Sequence, residues 1–521
     1  MKPTRPNILM IMADQLSARY LGAYGHPLVK TPNIDALAAK GTVFRHAYCN
    51  SPICAPSRAS MATGLHVSRL GAFDNGSDFP ASIPTFMHHL SRAEYEVVLS
   101  GKAHFIGPDQ MHGFQRRLTP EIYPSGFNWT PDWTQGPVHN PGTAVDQIRE
   151  SGLCEWSLQL DHDEEVAFRS LEYLRDYARR KDDGRPFFLC SSFTHPHEPF
   201  IINQPWWDLY DHDAIDMPKV PGMPIEEMHP YNQWLQIHHM IDTYPLEEEH
   251  VRNARHAYYG AISYFDSKVG ELRGELERLD LLENTIIIVA SDHGEMLGEQ
   301  GMWFKRTFFE PSIHVPLIAC GTDRVKPDNE VSREVSLVDI MPTLLELGNV
   351  EGRREVEQGL DGESLCAMLQ GEDERQSSGV VSEYCSEGVT QPMRLAINRR
   401  MKYVHVEDQE PMLFDLTHDA DERVNCVSDR MYAPRIADLK SMVEKDWDGA
   451  EVRQRVLESQ QRRLWIQDAQ NTMGERPCWD QAPSFDPGRQ YVRDKNAQAT
   501  SEDQRYPKVK KQRRLPLEPE S

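Results

Sequence analysis

A cysteine at the start of a predicted helix is the first feature of this sequence that could do chemistry. Cys54 opens the segment Cys54-Ala55-Pro56-Ser57-Arg58, in which Pro56 fits the first turn of a helix that Gly64 would end. The free N–H groups at a helix N-terminus attract anions and favour a thiolate. Most cysteines are small buried hydrophobic residues, so Cys54 is a functional candidate only if metal ligands and cationic groups accompany it.

Two carboxylates and a histidine follow apolar runs that are typical of buried strands. Asp14 comes directly after the run at residues 7–13, and Asp292-His293 comes after residues 285–290 and Ser291. Ligands of open parallel sheets collect at the carboxyl ends of the strands, although a helix cap is an alternative role for Asp14. Carboxylate oxygens suit Ca²⁺ and similar ions, and a histidine adds a nitrogen. These residues are therefore candidate metal ligands.

Cationic side chains occur at comparable positions. Lys102 and His104 follow the strand predicted over residues 95–100, and they would face the same side if that strand continues. The strand predicted over residues 186–193 leads to Thr194-His195-Pro196-His197, where prolines favour an extended chain that can direct one imidazole into a site. Lys305 lies in a loop rich in Trp and Phe. We therefore expect an anion site near the strand ends.

Two further segments lack a clear periodic pattern. Residues 105–160 are rich in Pro, Gly and Trp, which is typical of the wall or lid of an active site. Residues 203–250 are acidic and aromatic, and we interpret His238 and His239 within them as solvated loop residues.

The elements that must position these residues indicate an α/β fold. Helical patterns at residues 163–181 and 251–282 alternate with the buried strands, whereas short sequential strands beyond about residue 375 indicate an antiparallel sheet. We expect a large mixed, mostly parallel sheet flanked by helices, followed by a smaller C-terminal α+β domain. The predicted division is a catalytic domain at 1–375, a sheet and helix subdomain at 376–495, and a basic, mobile tail at 496–521.

Composition excludes several classes of partner. The 521 residues contain 56 Lys and Arg against 80 Asp and Glu, a net charge of -24, which argues against binding nucleic acid or an anionic membrane surface. The nine cysteines are scattered and odd in number, without C-x-x-C pairs, so we expect reduced thiols. No signal peptide or membrane-spanning stretch is apparent, and we expect a cytoplasmic enzyme.

As a set, these motifs resemble those of the formylglycine-dependent (type I) sulfatases over residues 5–420, which implies an alkaline-phosphatase-like fold. The pentapeptide at Cys54 is similar to the family's maturation signature, in which the cysteine is oxidised to formylglycine (3-oxoalanine). Within the family the chain most resembles the choline sulfatases. That closer likeness depends on the following segments: Asp14-Gln15, Asp292-His293, Gly101-Lys102-Ala103-His104, Thr194-His195-Pro196-His197 and the stretch from Arg463 to Arg493.

The resemblance implies a divalent ion held by Asp14, Asp292, His293 and the matured Cys54. The hydrated aldehyde would be the nucleophile that attacks the sulfur of a sulfate ester. Sulfatases commonly have a second acid where this chain has Gln15 and an asparagine where it has His293, so Ca²⁺ is expected and Mn²⁺ stays open.

The resemblance also implies the remaining site residues. Arg58 would hold the hydrate, and a general acid, His197 or Lys305, would protonate the leaving alcohol. A quaternary ammonium group favours aromatic faces and carboxylates. The residues expected to bind the substrate are as follows: for the sulfate group Lys102, His104, Lys305 and Asn75, and for a quaternary ammonium group Trp129 and Glu383.

The expected reaction is hydrolysis of a small alkyl sulfate, with choline O-sulfate giving choline and sulfate. The expected partners are this small-molecule ester, a formylglycine-generating maturation enzyme and further copies of the chain in a homo-oligomer. An aryl sulfatase and a phosphonate monoester or phosphodiester hydrolase are alternatives that would use the same nucleophile. A non-catalytic anion-binding protein is the alternative if Cys54 never matures. A metal-only phosphomutase would require Ser or Thr in place of Cys54.

Overall fold

The computed structural model describes residues 5–139, 141–180, 184–372, 378–472 and 505–506. The predicted tail at 496–521 lies outside these residues except for Arg505–Tyr506, and most of the stretch from Arg463 to Arg493 lies outside them as well. The strands in chain order are β1 (Asn7–Asp14), β2 (Gly41–Tyr48), β3 (Glu96–Gly101), β4 (Arg116–Arg117), β5 (Gly152–Cys154), β6 (Trp156–Ser157), β7 (Phe187–Pro196), β8 (Ile201–Asn203), β9 (Thr285–Ser291), β10 (His314–Val315), β11 (Leu317–Cys320), β12 (Asn329–Ser336), β13 (Val380–Tyr384), β14 (Met393–Asn398), β15 (Met401–Val406), β16 (Met412–Asp415) and β17 (Arg505–Tyr506).

The helices surround these strands along the whole chain. They are α1 (Pro32–Ala39), α2 (Cys54–Thr63), α3 (Val67–Leu70), α4 (Phe86–Arg92), α5 (Leu158–Arg179), α6 (Gln204–Trp207), α7 (Pro230–His238), α8 (Glu248–Arg278), α9 (Glu310–Ile313), α10 (Ile340–Leu347), α11 (Arg353–Glu357), α12 (Cys366–Leu369), α13 (Ala433–Glu444) and α14 (Gly449–Thr472).

The main sheet is mixed and mostly parallel, as the sequence predicts. Its spatial order is β10-β2-β11-β9-β1-β7-β3-β4, and β12 also pairs with β2. Strand β1 lies at the centre, parallel to both β7 and β9, while β11 runs antiparallel to β9. Because β1, β3, β7 and β9 run in the same direction, their carboxyl ends meet at one edge of the sheet. Asp14, Lys102, His197 and Asp292 lie at or directly after these four ends.

Both faces of the sheet are covered by apolar residues, which explains the continuous apolar runs. Along β1, Ile8, Met10 and Met12 join one buried cluster, and the alternate residues join another. Helices α2, α4 and α10 pack in the first cluster, and α5 and α8 pack in the second. A parallel strand that is buried on both faces has no polar side to alternate with. The fold is therefore a three-layer α/β/α arrangement.

The predicted antiparallel sheet is also present. Strands β13, β14, β15 and β16 pair antiparallel in sequence order, and α13 packs on β14 and β15. From β15, Lys402 reaches the main body, where its Nζ lies 2.8 Å from Oε1 of Glu310; the same Nζ lies 2.7 Å from Oε1 of Glu422, which follows β16. The division into 1–375, 376–495 and 496–521 stays a prediction.

The prediction for His238 and His239 was wrong. Both residues are fully buried at the end of α7, and the His239 ring lies 5.3 Å from the ring of Phe304. Burial lowers the pKa of both imidazoles well below the usual value. Residues 203–250 have an acidic composition that is typical of loops, so the sequence did not indicate that α7 forms there and buries these two histidines.

Two other predictions can be compared with the described residues. Among them, no helix is both long and apolar enough to cross a membrane. The eight cysteines that the structure describes are all free thiols, which agrees with the expectation of reduced cysteines, and Cys478 lies outside the described residues.

Candidate active site

Cys54 is the first residue of α2 and lies deep in the protein. The helix runs from Cys54 to Thr63, and Gly64 ends it with a left-handed φ of 66°. Cys54 is 1% exposed, and every residue of α2 is buried. The next N–H group, that of Ala55, donates a hydrogen bond of 3.0 Å to Oδ1 of Asn75. Residue 54 therefore lies at a helix N-terminus, as the sequence predicts, and Asn75 binds the N–H beside it.

Four potential metal ligands meet at Cys54. One ligand atom from each of Asp14, Cys54, Asp292 and His293 lies within 4.8 Å of the others. The Sγ atom is 3.1 Å from Nε2 of His293 and 3.7 Å from Oδ1 of Asp14. Two carboxylates, one imidazole nitrogen and the residue-54 side chain in one buried cluster fit a divalent ion. The donor set thus agrees with the metal that the family resemblance implies.

Two of the candidate metal ligands, Asp292 and His293, are held by neighbouring groups. Nε of Arg58 donates to Oδ2 of Asp292 at 2.7 Å, and the backbone N–H of Gln15 donates to Oδ1 at 3.1 Å. Burial raises the pKa of Asp292, but Arg58 and the other nearby cations outweigh it and hold that pKa below the usual range. Nδ1 of His293 lies 3.1 Å from the carbonyl oxygen of Gly294, which can only accept a hydrogen bond. Nε2 of a neutral His293 is therefore free to bind a metal.

Lys102 and His104 lie beside this cluster. Nζ of Lys102 donates to Oδ2 of Asp14 and lies 4.4 Å from the ring centroid of Tyr123. His104 is 2% exposed, and neither of its ring nitrogens has a hydrogen-bond partner among the described residues. Burial, together with Lys102 and Arg58, lowers the pKa of His104 well below the usual value. His104 is thus a neutral imidazole with polar atoms available to a ligand.

Lys305 and His197 form a direct pair beside the same cluster. Nζ of Lys305 lies 2.6 Å from Nε2 of His197 and also donates to Oε1 of Gln15. The pKa of Lys305 is raised, because the negative charges of the site, led by those at Cys54, Glu198 and Asp14, outweigh the effect of burial. Lys305 is therefore a buried ammonium group.

The loop that carries Lys305 is strained. Both of its neighbours, Phe304 and Arg306, have left-handed φ angles, 64° and 81°. Arg306 is fastened by its buried ion pair with Glu387, in which Nη2 lies 2.9 Å from Oε1. Strained backbone of this kind persists only where the surroundings hold it, and it occurs often at functional sites.

Trp129 lies at the mouth of the same site, whereas Glu383 has other partners. The Trp129 ring lies 5.9 Å from the ring of His104 and 6.0 Å from that of Tyr123. The fully buried carboxylate of Glu383 accepts hydrogen bonds from the Ser68 N–H at 2.7 Å and the Ser68 hydroxyl at 3.0 Å. It also lies 3.2 Å from Nε of Arg394. Glu383 therefore makes contacts within the fold, and Trp129 faces the site.

Tyr123 is a site residue that the sequence reasoning missed. Its hydroxyl lies 3.1 Å from Nδ1 of His197, and its ring contacts those of His104 and Trp129. It stands in the aperiodic segment at residues 105–160, where no motif singles out one aromatic residue from another. The only available signal was the expectation that this segment forms a wall of the active site.

Comparisons with known proteins agree with this geometry. A family model described as sulfatase matches residues 6–350, and one described as the C-terminal part of N-sulphoglucosamine sulphohydrolase matches residues 298–448. A choline-sulfatase of Rhizobium meliloti (strain 1021) is 37% identical over 97% of this chain and 99% of its own length. Arylsulfatase K of Homo sapiens is 28% identical over 81% of this chain and 78% of its own.

A solved structure is also similar. The phosphonate monoester hydrolase of Agrobacterium radiobacter superposes with a TM-score of 0.65 at 25% identity, covering 87% of this chain and 96% of that one.

Proposed function

This chain belongs to the sulfatase family, and we propose that it cleaves a small alkyl sulfate, choline O-sulfate, into choline and sulfate. The observation that supports hydrolysis most directly is the cluster of Asp14, Asp292 and His293 around Cys54 at the N-terminus of α2. Choline as the alcohol is supported by the 37% identity with a choline-sulfatase over nearly the whole chain.

We propose that residue 54 acts as a formylglycine beside one divalent ion. When present, these groups supply a hydrated aldehyde as nucleophile and a Lewis acid that lowers the pKa of its attacking hydroxyl. Asp14, Asp292 and His293 would hold the ion, for which Ca²⁺ is our first choice and Mn²⁺ the second. Arg58 keeps Asp292 ionised and correctly turned, through its 2.7 Å hydrogen bond.

The sulfate group would be held by the cationic side of the site. The side chains of Lys102, Lys305 and His104 are all buried in the site, and the buried Asn75 lies at the N-terminus of α2, where its Oδ1 accepts the N–H of Ala55. Fixed donors that face the oxygens of a sulfate stabilise the charge that spreads over them in the transition state. Although the chain carries a net charge of -24, this local concentration of cations favours an anionic substrate.

We assign the general acid to Lys305. Nδ1 of His197 lies 2.6 Å from the carbonyl oxygen of Glu198, which can only accept, so Nδ1 carries the proton. Nε2 of the neutral ring then accepts from the ammonium group of Lys305 at 2.6 Å. Two N–H groups of Lys305 point to Gln15 and His197, and Oε1 of Glu198 lies 3.6 Å from Nζ, beyond direct hydrogen-bond distance, so a third N–H can serve the leaving oxygen. His197 therefore orients Lys305 by accepting one of its N–H groups.

A substrate panel tests the proposal. Protein expressed with a formylglycine-generating enzyme is assayed with choline O-sulfate, 4-nitrophenyl sulfate and an aryl phosphonate monoester, with Cys54→Ala as the control for contaminating activity. We expect the highest kcat/KM with choline O-sulfate. Preference for the aryl sulfate would favour the activity named for arylsulfatase K, and preference for the phosphonate would favour that of the structural relative. No turnover, with Cys54 unmodified, would favour a non-catalytic anion-binding role.

We also propose that the enzyme acts in the cytoplasm, as a homo-oligomer, after maturation by a formylglycine-generating enzyme. Light scattering on the purified protein measures the oligomeric state, and a monomer at micromolar concentration would contradict that part of the proposal.

A further inference from the structure

We propose that Arg463, in the C-terminal helix α14, is a positioning residue for substrate recognition. This inference depends on the proposed function and extends it. The guanidinium joins two turns that carry candidate substrate contacts. One turn is Asp74-Asn75-Gly76, and the other is Phe127–Trp129 with the following Thr130.

Arg463 makes a fully buried, two-pronged ion pair. Its Nη1 lies 2.8 Å from Oδ1 of Asp74, and its Nη2 lies 2.7 Å from Oδ2. Nη1 also donates to Oγ1 of Thr130 at 2.8 Å. The Arg463 side chain is 4% exposed and that of Asp74 is not exposed at all. A planar guanidinium fixes a carboxylate in distance and angle, which a single-point cation does not do.

The residues next to these contacts face the site. Asn75 follows Asp74, and its Oδ1 accepts the N–H of Ala55 at 3.0 Å, beside Cys54. Trp129 precedes Thr130 and places its ring against His104. A shift of either turn would therefore move a group that contacts the sulfate or the alcohol of the substrate.

The two turns have no free space between them. A Cβ atom built on Gly76 would lie 2.5 Å from the backbone nitrogen of Thr130 and 2.8 Å from the carbonyl carbon of Trp129. Gly76 is thus required for the close approach of the two backbones. Arg463 then binds one side chain of each turn, Asp74 in the first and Thr130 in the second, so the two turns move as one unit.

The same face of α14 makes two more contacts with this wall. Oε1 of Gln460 accepts the N–H of Trp133 at 3.0 Å, and Nε2 of Gln467 lies 3.2 Å from Oδ1 of Asn128. Positions 460, 463 and 467 recur at helical spacing and so share one face. In contrast, Trp465 is 72% exposed. The helix therefore supports the wall from outside and supplies no residue to the reacting centre in these contacts.

The position of α14 in the chain suggests a role in specificity. The two matching family models end at residues 350 and 448, and α14 begins at Gly449. The alignment with the choline-sulfatase covers 97% of this chain and is long enough to include the helix. The residues proposed to carry out the sulfatase reaction all precede α14. We therefore propose that Arg463 affects which sulfate ester the site accepts.

The test compares Arg463→Gln with Arg463→Lys and with Arg462→Gln, an exposed neighbour on the same helix that serves as the matched control. For Arg463→Gln we expect kcat/KM with choline O-sulfate to fall by roughly tenfold to a hundredfold, because misplaced contacts lose that much in related cases. The fall with 4-nitrophenyl sulfate should be smaller. Arg463→Lys should recover part of the loss, and Arg462→Gln should match the wild type.

Hydrogen exchange gives a readout that does not depend on activity. In Arg463→Gln, amides at residues 74–78 and 127–133 should exchange faster, while those of β1 and β9 should not change. Equal behaviour of Arg463→Gln and Arg462→Gln would overturn the inference. So would faster exchange throughout the protein with equal losses on both esters, because that pattern indicates a structural role alone. If the wild type cleaves no sulfate ester, the proposed function fails, and the exchange data still test Arg463.

Discussion

The ammonium group of Lys305 lies 2.6 Å from Nε2 of His197, and Nδ1 of the same imidazole lies 2.6 Å from the carbonyl oxygen of Glu198. The carbonyl fixes the proton of the ring on Nδ1, so the contact at Nε2 is a hydrogen bond that Lys305 donates. The sequence left two candidates for the general acid, and this relationship supports the proposal that Lys305 is the acid and that His197 orients it.

Substitution of the two residues should therefore have different effects. Lys305→Met should lower kcat by about 100-fold or more with choline O-sulfate, whose alkoxide leaves poorly without a proton. The loss should be smaller with 4-nitrophenyl sulfate, whose leaving group needs little protonation. His197→Gln keeps an oxygen that can accept from Lys305 and should show a weaker dependence on the leaving group. A stronger dependence in His197→Gln than in Lys305→Met would reverse the assignment.

Metal removal should abolish turnover. Dialysis against a chelator should inactivate the matured enzyme, and Ca²⁺ or Mn²⁺ should restore it. Binding to the folded state alone should raise the Tm of the metal-free protein. Asp292→Asn should lose both effects, whereas Asp438→Asn, at an exposed position on α13, should keep them. An equal rise of Tm with Ca²⁺ in wild type and Asp292→Asn would show that the ion binds elsewhere.

Substitution of Trp129 should change KM, whereas substitution of Glu383 should change the Tm. Trp129→Phe should raise KM for choline O-sulfate by roughly tenfold, because an indole face attracts a quaternary ammonium group more strongly than a phenyl ring does. Glu383→Gln should mainly lower the Tm, because it leaves Arg394 without its charged partner in a buried position. A rise of KM in Glu383→Gln without a change of Tm would place Glu383 in the substrate site.

His26 should make stability depend on pH. Its Nδ1 accepts the N–H groups of Leu28 at 3.3 Å and Val29 at 3.1 Å. Burial lowers the pKa of His26 from 6.5 to about 4. Between these two values the unfolded chain binds a proton at His26 that the folded protein does not, so the contribution of His26 to stability is fully present above pH 6.5 and is lost as the pH falls from 6.5 toward 4.

His26→Asn removes the titration and keeps an oxygen acceptor near the position of Nδ1. Urea unfolding at several pH values should show that the wild type loses more stability than His26→Asn as the solution is acidified below pH 6.5. Parallel curves for the two proteins would contradict the assigned pKa direction.

Much of the fold could be predicted because its central strands are apolar on both faces. The runs that became β1, β7 and β9 carry the pattern of buried parallel strands, and their ends place Asp14, Asp292 and His197 at one edge. Strand β12 was missed because it lies at the edge of the sheet. Its first five residues are partly exposed and include the charged Glu330 and Arg333, so they form no apolar run. Strand β2 was missed because polar residues interrupt its apolar run.

The candidate site was predictable where a residue follows a strand end or belongs to a motif. The cluster around Cys54 is of this kind. Tyr123 and Arg463 could not be assigned in this way, because their contacts join segments that are distant in sequence: Tyr123 contacts His197, and Arg463 contacts Asp74 outside the reacting centre. Glu383 came from family resemblance alone, and its observed partners are set by packing against Ser68 and Arg394.

The central claim is that residue 54 acts as a hydrated aldehyde, and mass spectrometry of the peptide that contains it tests this most directly. The sample should be protein that has been shown to turn over choline O-sulfate. The account predicts the mass of formylglycine at position 54 and unmodified thiols at the other cysteines. An intact thiol at Cys54 throughout an active preparation would contradict it.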